Sequence, residues 1–394
     1  MFSLITFLFV VIAVVAAVYH ITLLVVAFGN QYLKSIPELN TALRFAIVIP
    51  AHNEAETIHE TLHSCQQLDY PSVDIYVIAD NCDDDTAAVA EQYGATPLIR
   101  NNLDQRGKGY ALAFAFEQLL AKPYDSLIVL DADCTLPPDA LTAFNHELTQ
   151  THYRVLQANY VASNPDESPL SYAIAVGNVI ENNLFYMPKD TLGLSILLRG
   201  TGMVFTREVL QEFPWNSHSI VEDTAYSLHL QEQGEPIRYL HHVNVYSPFP
   251  AEREQLEVQR ERWAGNLGFG KKDALRRIWQ GVRTGNPLAL DGGLTFLLLS
   301  RPLILAETGF AWLLSLLNVW ISHSGFAILL FTLASIAAVL QFIYFTSGIF
   351  LLGLTVKRKQ YLREIPGIVY KLAKIALIGL LGRGTTEWKK TPRS

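Results

Sequence analysis

The sequence predicts an α/β sheet domain flanked by helices long enough to cross a membrane. Three observations carry this reading. Long uncharged runs occupy both ends of the chain, and they account for an apolar share of 50%, high for a water-soluble enzyme. Between them, short apolar runs alternate with helical stretches, the pattern of a layered α/β domain. The polar clusters of that middle region fall where the apolar runs stop, which in such sheets is where ligands bind.

The first segment is Phe2 to Gly29, apolar apart from a few Ser, Thr, Tyr and His20, with no charge before Lys34. It exceeds the ~20 residues a bilayer-spanning helix needs and lacks the basic start of a secretory signal. Residues 1–30 therefore read as a transmembrane anchor, with a cleaved signal as the alternative. Near the other end, Pro302 to Ile321 is interrupted only by Glu307, and Phe326 to Val356 carries no charge, so 294–356 reads as two further spans. An acid inside a span points to a cavity or a partner; Glu307 is a candidate pore-facing residue, or one near the interface. The loop 322–325 has neither Lys nor Arg, whereas Lys357, Arg358, Lys359 and Arg363 follow the last span. Cytoplasmic loops collect such charge, which puts the N-terminus and 322–325 outside and Lys34 to Arg301 in the cytosol. The expectation is an integral protein of a bacterial inner or plasma membrane.

Residues 364–382 form a fourth apolar stretch, with Lys371 and Lys374 on one face. A span there would carry the basic tail 383–394 outward, so a helix lying in the interface is preferred to a span. Within 251–292, Leu275, Ile278, Trp279 and Val282 make one stripe, and Lys271, Lys272, Arg276 and Arg277 either meet anionic headgroups or form a solvated face. Membrane lipids are thus expected partners. The net charge of -7 speaks against nucleic acid, which needs a basic footprint. Cys65, Cys82 and Cys134 form no C-x-x-C pair and read as free thiols, without structural zinc.

The cytosolic domain, 42–250, begins with the buried strand Ala46 to Pro50, then a helix from Glu54 to Gln67. Val73 to Ala79, Thr96 to Arg100 and Ser126 to Leu130 are further strands, with helices at Asp84 to Tyr93 and Gly109 to Leu120 between them. Pro50, His52 and Glu54 end the first strand, Asp80 the second and Asp131 the fourth.

Asp131-Ala132-Asp133 offers two carboxylates at i and i+2 on a turn, able to share a divalent cation and a diphosphate; hard oxygen donors suit Mg2+ or Mn2+. One such D-x-D is expected by chance at about this length, so its weight comes from its place after a strand. Asp80 can accept from a base N–H or a ribose hydroxyl, while Asp83 or Asp84 caps the next helix. Arg106-Gly107-Lys108-Gly109 is a basic turn whose Lys108 can meet a phosphate at a helix N-terminus; the P-loop spacing is absent. Gly200-Thr201-Gly202 precedes the short strand beginning at Met203. Glu222-Asp223-Thr224 precedes a predicted helix, Ala225 to Gln233, and taken alone reads as an N-cap. Gln259, Arg262 and Trp263 lie within one helical turn and join an amide, a guanidinium suited to pyrophosphate and an indole suited to a sugar or a lipid.

In this order the motifs resemble those of the family-2 glycosyltransferases with a GT-A fold, a Rossmann-like nucleotide-diphospho-sugar transferase architecture. The Q-x-x-R-W element resembles the membrane branch, which includes synthases of cellulose, chitin, hyaluronan and poly-N-acetylglucosamine, and ceramide glucosyltransferases. The likeness covers about residues 42 to 265. It implies that Asp80 contacts the uridine and that Pro50, His52, Glu54, Lys108, Asp131, Gln259 and Arg262 hold the nucleotide sugar. Asp131 and Asp133 would bind the metal, and Asp223 would be the catalytic base. Gly200, Thr201, Gly202, Glu222 and Trp263 would face the acceptor. Two positions depart from the family pattern: Ala79 precedes Asp80 where a second acid is usual, and Val221 replaces a common threonine. The implied reaction is inverting transfer from a UDP-sugar to a growing surface polysaccharide. A ceramide- or polyprenyl-type lipid is the alternative acceptor, and an inactive scaffold of an export complex the alternative class. A homo-oligomer or export partner would be needed to carry a polymer outward.

Overall fold

A computed structural model gives the structure of the chain and describes residues 2–29, 41–194, 196–219, 221–252, 254–257, 271–298 and 300–380. In chain order it runs α1 (Phe2–Gly29), β1 (Phe45–Ala51), α2 (Ile58–Gln66), β2 (Val73–Asp80), α3 (Thr86–Gln92), β3 (Thr96–Arg100) and α4 (Lys108–Leu119). There follow β4 (Ser126–Val129), α5 (Ala140–Gln150), β5 (Val155–Ala162), α6 (Pro169–Val179), a π-helical turn (Ile180–Tyr186), α7 (Met187–Thr191), β6 (Met203–Thr206), α8 (Arg207–Glu212), α9 (Glu222–Glu232) and β7 (Ile237–Ser247). The remaining helices are α10 (Lys271–Thr284), α11 (Pro287–Leu298), α12 (Arg301–Ser322), α13 (Gly325–Leu352), α14 (Val356–Tyr361) and α15 (Ile365–Leu380). The chain divides into two compact units, one of Tyr32–Asn164 and Ser195–Phe249, the other of Met1–Gln31, Pro165–Leu194 and Pro250–Ser394.

The first unit is built on one seven-stranded sheet of order β3-β2-β1-β4-β6-β5-β7. β1 is a continuous apolar run because both of its faces are covered: Phe45, Ile47 and Ile49 pack with Ile58 and Leu62 of α2 and with Ile128, Leu130 and Phe144. β2 and β4 run parallel to β1 on either side, and β3 runs parallel to β2. Their register puts Ala51 beside Ala79 and Val48 beside Val129. The residues just beyond β1, Asp80 at the end of β2, and Asp131 beyond β4 therefore come out on one edge. β6 runs antiparallel to β4, with Met203 opposite Val129. Its direction brings the preceding Gly200-Thr201-Gly202 back to that same edge. β7 pairs with β5 in parallel, with a bulge at Ala158/Asn159.

The strands and helices expected within 42–250 are present, with shifts at their ends. The first helix starts at Ile58 rather than Glu54, because Glu54 to Thr57 is spent on a turn closed by bonds from Thr57 N and Ile58 N to the Glu54 carbonyl. Asp84 satisfies the start of α3, accepting from Thr86 N at 3.0 Å, and it also accepts from Ala55 N at 3.0 Å.

In the second unit, α1, α12 and α13 are, among the described residues, the three helices long and apolar enough to cross a membrane. They meet through small residues, Ala13 and Ala17 against Ala311, Ala334 and Ala337, where absent side chains let helices approach closely. Polar contacts join them as well: His20 pairs with Gln341 at 2.9 Å and stacks on Tyr344 at 4.3 Å. The last of these helices stops at Leu352, not Val356, because Gly353 takes φ +86 and ends it. In the segment 165–194, the fully buried Lys189 pairs with Asp291 at 3.0 Å and donates to Thr295 at 2.6 Å, so its buried ammonium is partnered.

Candidate active site

The site is assembled on the carboxyl edge of β1, β2 and β4. His52, just beyond β1, donates from Nδ1 to the Asp80 carbonyl at 2.7 Å and ties the ends of the first two strands together. Pro50 and Glu54 are half-buried beside it, and Glu54 accepts from Thr57 Oγ1 at 2.5 Å. The Asp80 carboxylate is buried; its Oδ1 accepts from Arg100 at 2.6 Å and from Asn81 Nδ2 at 3.0 Å. Burial raises its pKa, and Arg100 opposes that rise. Arg100 is a residue that motif reading passed over. It is register partner of Asp80 across β2 and β3, a pairing that no sequence motif contains. The same guanidinium donates to the Gln105 carbonyl at 2.8 Å, fixing the loop that leads to the basic turn.

Lys108, at the start of α4, sits at the centre of the polar cluster. Its Nζ is hydrogen-bonded to Asp131 Oδ1 and donates to the Gly200 carbonyl at 2.8 Å. A side chain at Gly200, where φ is +80, would lie 3.4 Å from Lys108 Nζ and 3.5 Å from Asp223 Oδ2. Glycine thus leaves the surface between the ammonium and the carboxylate open. Burial works against the charge on Lys108, but Asp131, Glu222 and Asp223 outweigh it and hold its pKa above the ordinary lysine value. Burial and then the adjacent Asp223 push Glu222 up to about 8, against the pull of Lys108. Burial raises Asp223 too, opposed by the Thr224 N–H and by Lys108.

The acidic pair heads α9, yet neither acid is its N-cap: Val221 holds that position, and Glu222 is buried. Asp223 Oδ1 accepts from Thr224 N at 2.6 Å, which leaves Oδ2 as the oxygen turned toward Gly200. Ser227 holds this first turn to the strand-side loop, donating to the Asp223 carbonyl at 2.7 Å and accepting from Leu198 N at 2.8 Å. Thr201 is buried; its hydroxyl accepts from Asp131 N at 3.1 Å, so it supports the D-x-D turn. Gly202, at φ +65, continues the ladder by donating to the Val129 carbonyl at 2.8 Å.

Asp131, Asp133 and Cys134 bring one ligand atom each to within 4.8 Å of one another. Burial, then Asp133 and Asp131, keep the Cys134 thiol protonated, and its Sγ donates to Asp133 Oδ1 at 3.5 Å. The two carboxylates remain as hard donors, a set that fits Mg2+ or Mn2+. Gln259, Arg262 and Trp263 lie outside the described residues.

Comparison with known proteins agrees with this architecture. The family described as "Glycosyltransferase like family 2" matches residues 43–266. A poly-beta-1,6-N-acetyl-D-glucosamine synthase of Staphylococcus epidermidis is 24% identical over 252 residues, which are 61% of this chain and 57% of that protein. A hyaluronan synthase of Streptococcus pyogenes is 32% identical over 141 residues, 32% of this chain and 33% of that protein. The chain spans little more than half the length of the first of these relatives. Among solved structures, the mannosyltransferase PcManGT from Pyrobaculum calidifontis, in complex with GDP-Man and Mn2+, aligns with a TM-score of 0.60 at 16% identity. That alignment covers 96% of this chain and 99% of that one, and shows a shared fold, the GT-A fold. With more than half of its length matched by the family, the chain belongs to the family-2 glycosyltransferases.

Proposed function

We propose that the protein transfers a sugar, with inversion, from a UDP-sugar to a growing surface polysaccharide at the cytosolic face of a membrane. The observation that carries the reading is the meeting of Lys108, Asp131, Gly200 and Asp223, from four separate segments, on one sheet edge. The names of the relatives support a polymer acceptor, being synthases of poly-N-acetylglucosamine and hyaluronan. The nucleotide sugar and Mn2+ bound to the mannosyltransferase support the donor class and the cation.

Asp131 and Asp133 would hold the cation, which when bound supplies positive charge against the diphosphate. Lys108, charged and fixed by Asp131 and the Gly200 carbonyl, adds a second positive group for the phosphates. Asp80, anchored by Arg100, presents its second oxygen to the nucleoside. Asp223 accepts the proton of the acceptor hydroxyl through Oδ2. As it does so, the hydroxyl oxygen forms a bond to the anomeric carbon, the bond from that carbon to the diphosphate breaks, and UDP leaves. Burial raises the basicity of Asp223 above that of an ordinary aspartate, which suits a general base. Glu222, pushed toward the neutral form by burial and then by Asp223, can donate to an acceptor oxygen.

The test is the purified full chain in detergent, given a panel of UDP-sugars, with UDP release measured and products analysed by mass. A ladder of polysaccharide made without added lipid is expected. A single organic-soluble glycolipid overturns the polymer acceptor, and no UDP release from any sugar overturns the donor assignment.

A further inference from the structure

Lys108 Nζ and Asp223 Oδ2 both approach Gly200, although they come from distant segments of the chain. Residues 213–219 follow α8 and lead to the acidic pair that opens α9. On the way they rest on the first turn of α4. Trp215 is buried, donates from Nε1 to the Gly109 carbonyl at 3.1 Å, and sets its ring edge-on to Phe116 and Phe205. A Cβ at Gly109 would lie 2.2 Å from the Ser217 carbonyl oxygen and 3.0 Å from His218 Cα. Glycine therefore lets the two backbones come this close. His218 lays its ring flat on Tyr110, with centroids 4.1 Å apart and planes 1° from parallel. Arg100, the anchor of Asp80, lies over the same Tyr110 ring at 5.9 Å. The start of the segment is tied to α9 instead. Fully buried Tyr226 donates to the Phe213 carbonyl at 2.6 Å and packs against Trp215 at 4.6 Å between centroids.

We propose that residues 215–218 are a strap that sets the Asp223 carboxylate against Lys108, with His218 as the positioning residue that fixes its end on Tyr110. The proposal rests on the reading of Asp223 as base and Lys108 as phosphate ligand. A base must come within hydrogen-bond reach of the hydroxyl it deprotonates, and a misplacement of ~1 Å costs about 10²-fold. The bonds from Thr224 N and Ser227 orient Asp223 within α9, but they do not refer α9 to the turn that carries Lys108. The strap does so: it is joined to α9 through Tyr226 and to α4 through Gly109 and Tyr110. The second glycine of the basic turn thus makes room for protein backbone. His218 is exposed, so its ring adds little to the core; what it holds is the part of the strap nearest the acidic pair. Stacking of this kind needs a flat ring rather than a charge.

The experiment uses the full chain in detergent. Turnover is read as UDP release from a UDP-sugar that the panel shows to be used, and affinity by titration with UDP. His218→Ala should lower kcat roughly 2- to 10-fold, the scale of one aromatic stacking contact, and leave the Kd for UDP unchanged. His218→Phe keeps a flat ring on Tyr110 and should restore kcat. Gly109→Ala must push the Ser217 backbone off the helix and should cost about 10²-fold in kcat with UDP still bound. His218→Ala is then repeated in Asp223→Asn. A strap that acts through the carboxylate has nothing left to position there, so the second change should cost no more. An unchanged kcat in His218→Ala, no recovery with Phe, or the same fold loss in both backgrounds overturns the strap. A loss of kcat matched by an equal weakening of UDP binding overturns it too, and assigns His218 to the donor pocket. Parental turnover in Asp223→Asn overturns the base itself, a result the His218 variants alone cannot produce.

Discussion

Replacing Asp223 by Asn separates the chemistry of the acidic pair from its structural work. The carboxamide has nearly the same shape, and its oxygen can keep the 2.6 Å bond from Thr224 N that holds the first turn of α9. The Ser227 hydroxyl bonds the backbone of residue 223, so that contact is untouched. What disappears is the proton acceptor beside Gly200. Loss of a general base costs about 10²–10⁴-fold in turnover, or roughly 3–5 kcal/mol of transition-state stabilisation. The stability effect has the opposite sign. Burial raises the native pKa of Asp223 above its unfolded value. The native state therefore loses stability as pH rises through the window between those two values, because ionisation is harder when folded. Asn carries no such cost, so at neutral pH the variant should melt no lower than the native protein. The assays are UDP release in detergent, titration of UDP-sugar binding, and thermal melting at pH 5 and pH 8. Near-normal turnover with intact binding would refute Asp223 as the base. Lost turnover that merely tracks lost UDP-sugar binding, or a melting point several degrees lower, would show that the carboxylate acts in binding or folding instead.

Three further outcomes follow from the same geometry. UDP release should stop with EDTA and return with Mg2+ or Mn2+, and Asp133→Ala should lose that rescue; full activity of this variant in EDTA would remove the cation assignment. Gly202→Ala should destabilise the sheet unit by about 2–5 kcal/mol, combining a left-handed backbone with overpacking, since its Cβ would sit 2.7 Å from Val245 Cγ2 and 2.9 Å from Ala158 Cβ; an unchanged melting curve would contradict the packing seen there. A cysteine at 323 should be labelled from outside intact cells and one at 358 only after permeabilisation, with the reverse result inverting the Lys/Arg-based topology.

Much of this protein can be read without coordinates because its signals are local. Three apolar runs longer than a bilayer is thick declare helices wherever they fold. β1 and β4 are short, largely apolar runs, as strands in the middle of a sheet with both faces covered are, and their length and β-branched content mark them as buried strands. Asp80, Lys108, Asp131 and Asp133 could be singled out because each ends or follows a strand or opens a helix, positions visible in sequence, whereas Asp223, which alone reads as an N-cap, was singled out through the family resemblance. Tertiary structure decided how these residues are brought together and supported. Thr201, grouped with the acceptor by the resemblance, also accepts from the Asp131 N–H because β6 runs antiparallel to β4. Arg100 belongs with Asp80 only through the register of β2 and β3, a contact across twenty residues that no motif contains. The stripe on α10 looks continuous along the chain, but the glycine-mediated approach of α11 claims Ile278 and leaves Leu275, Trp279 and Val282 outside. Periodicity says that a helix has an apolar face; only close packing says which part of that face the protein itself has already covered.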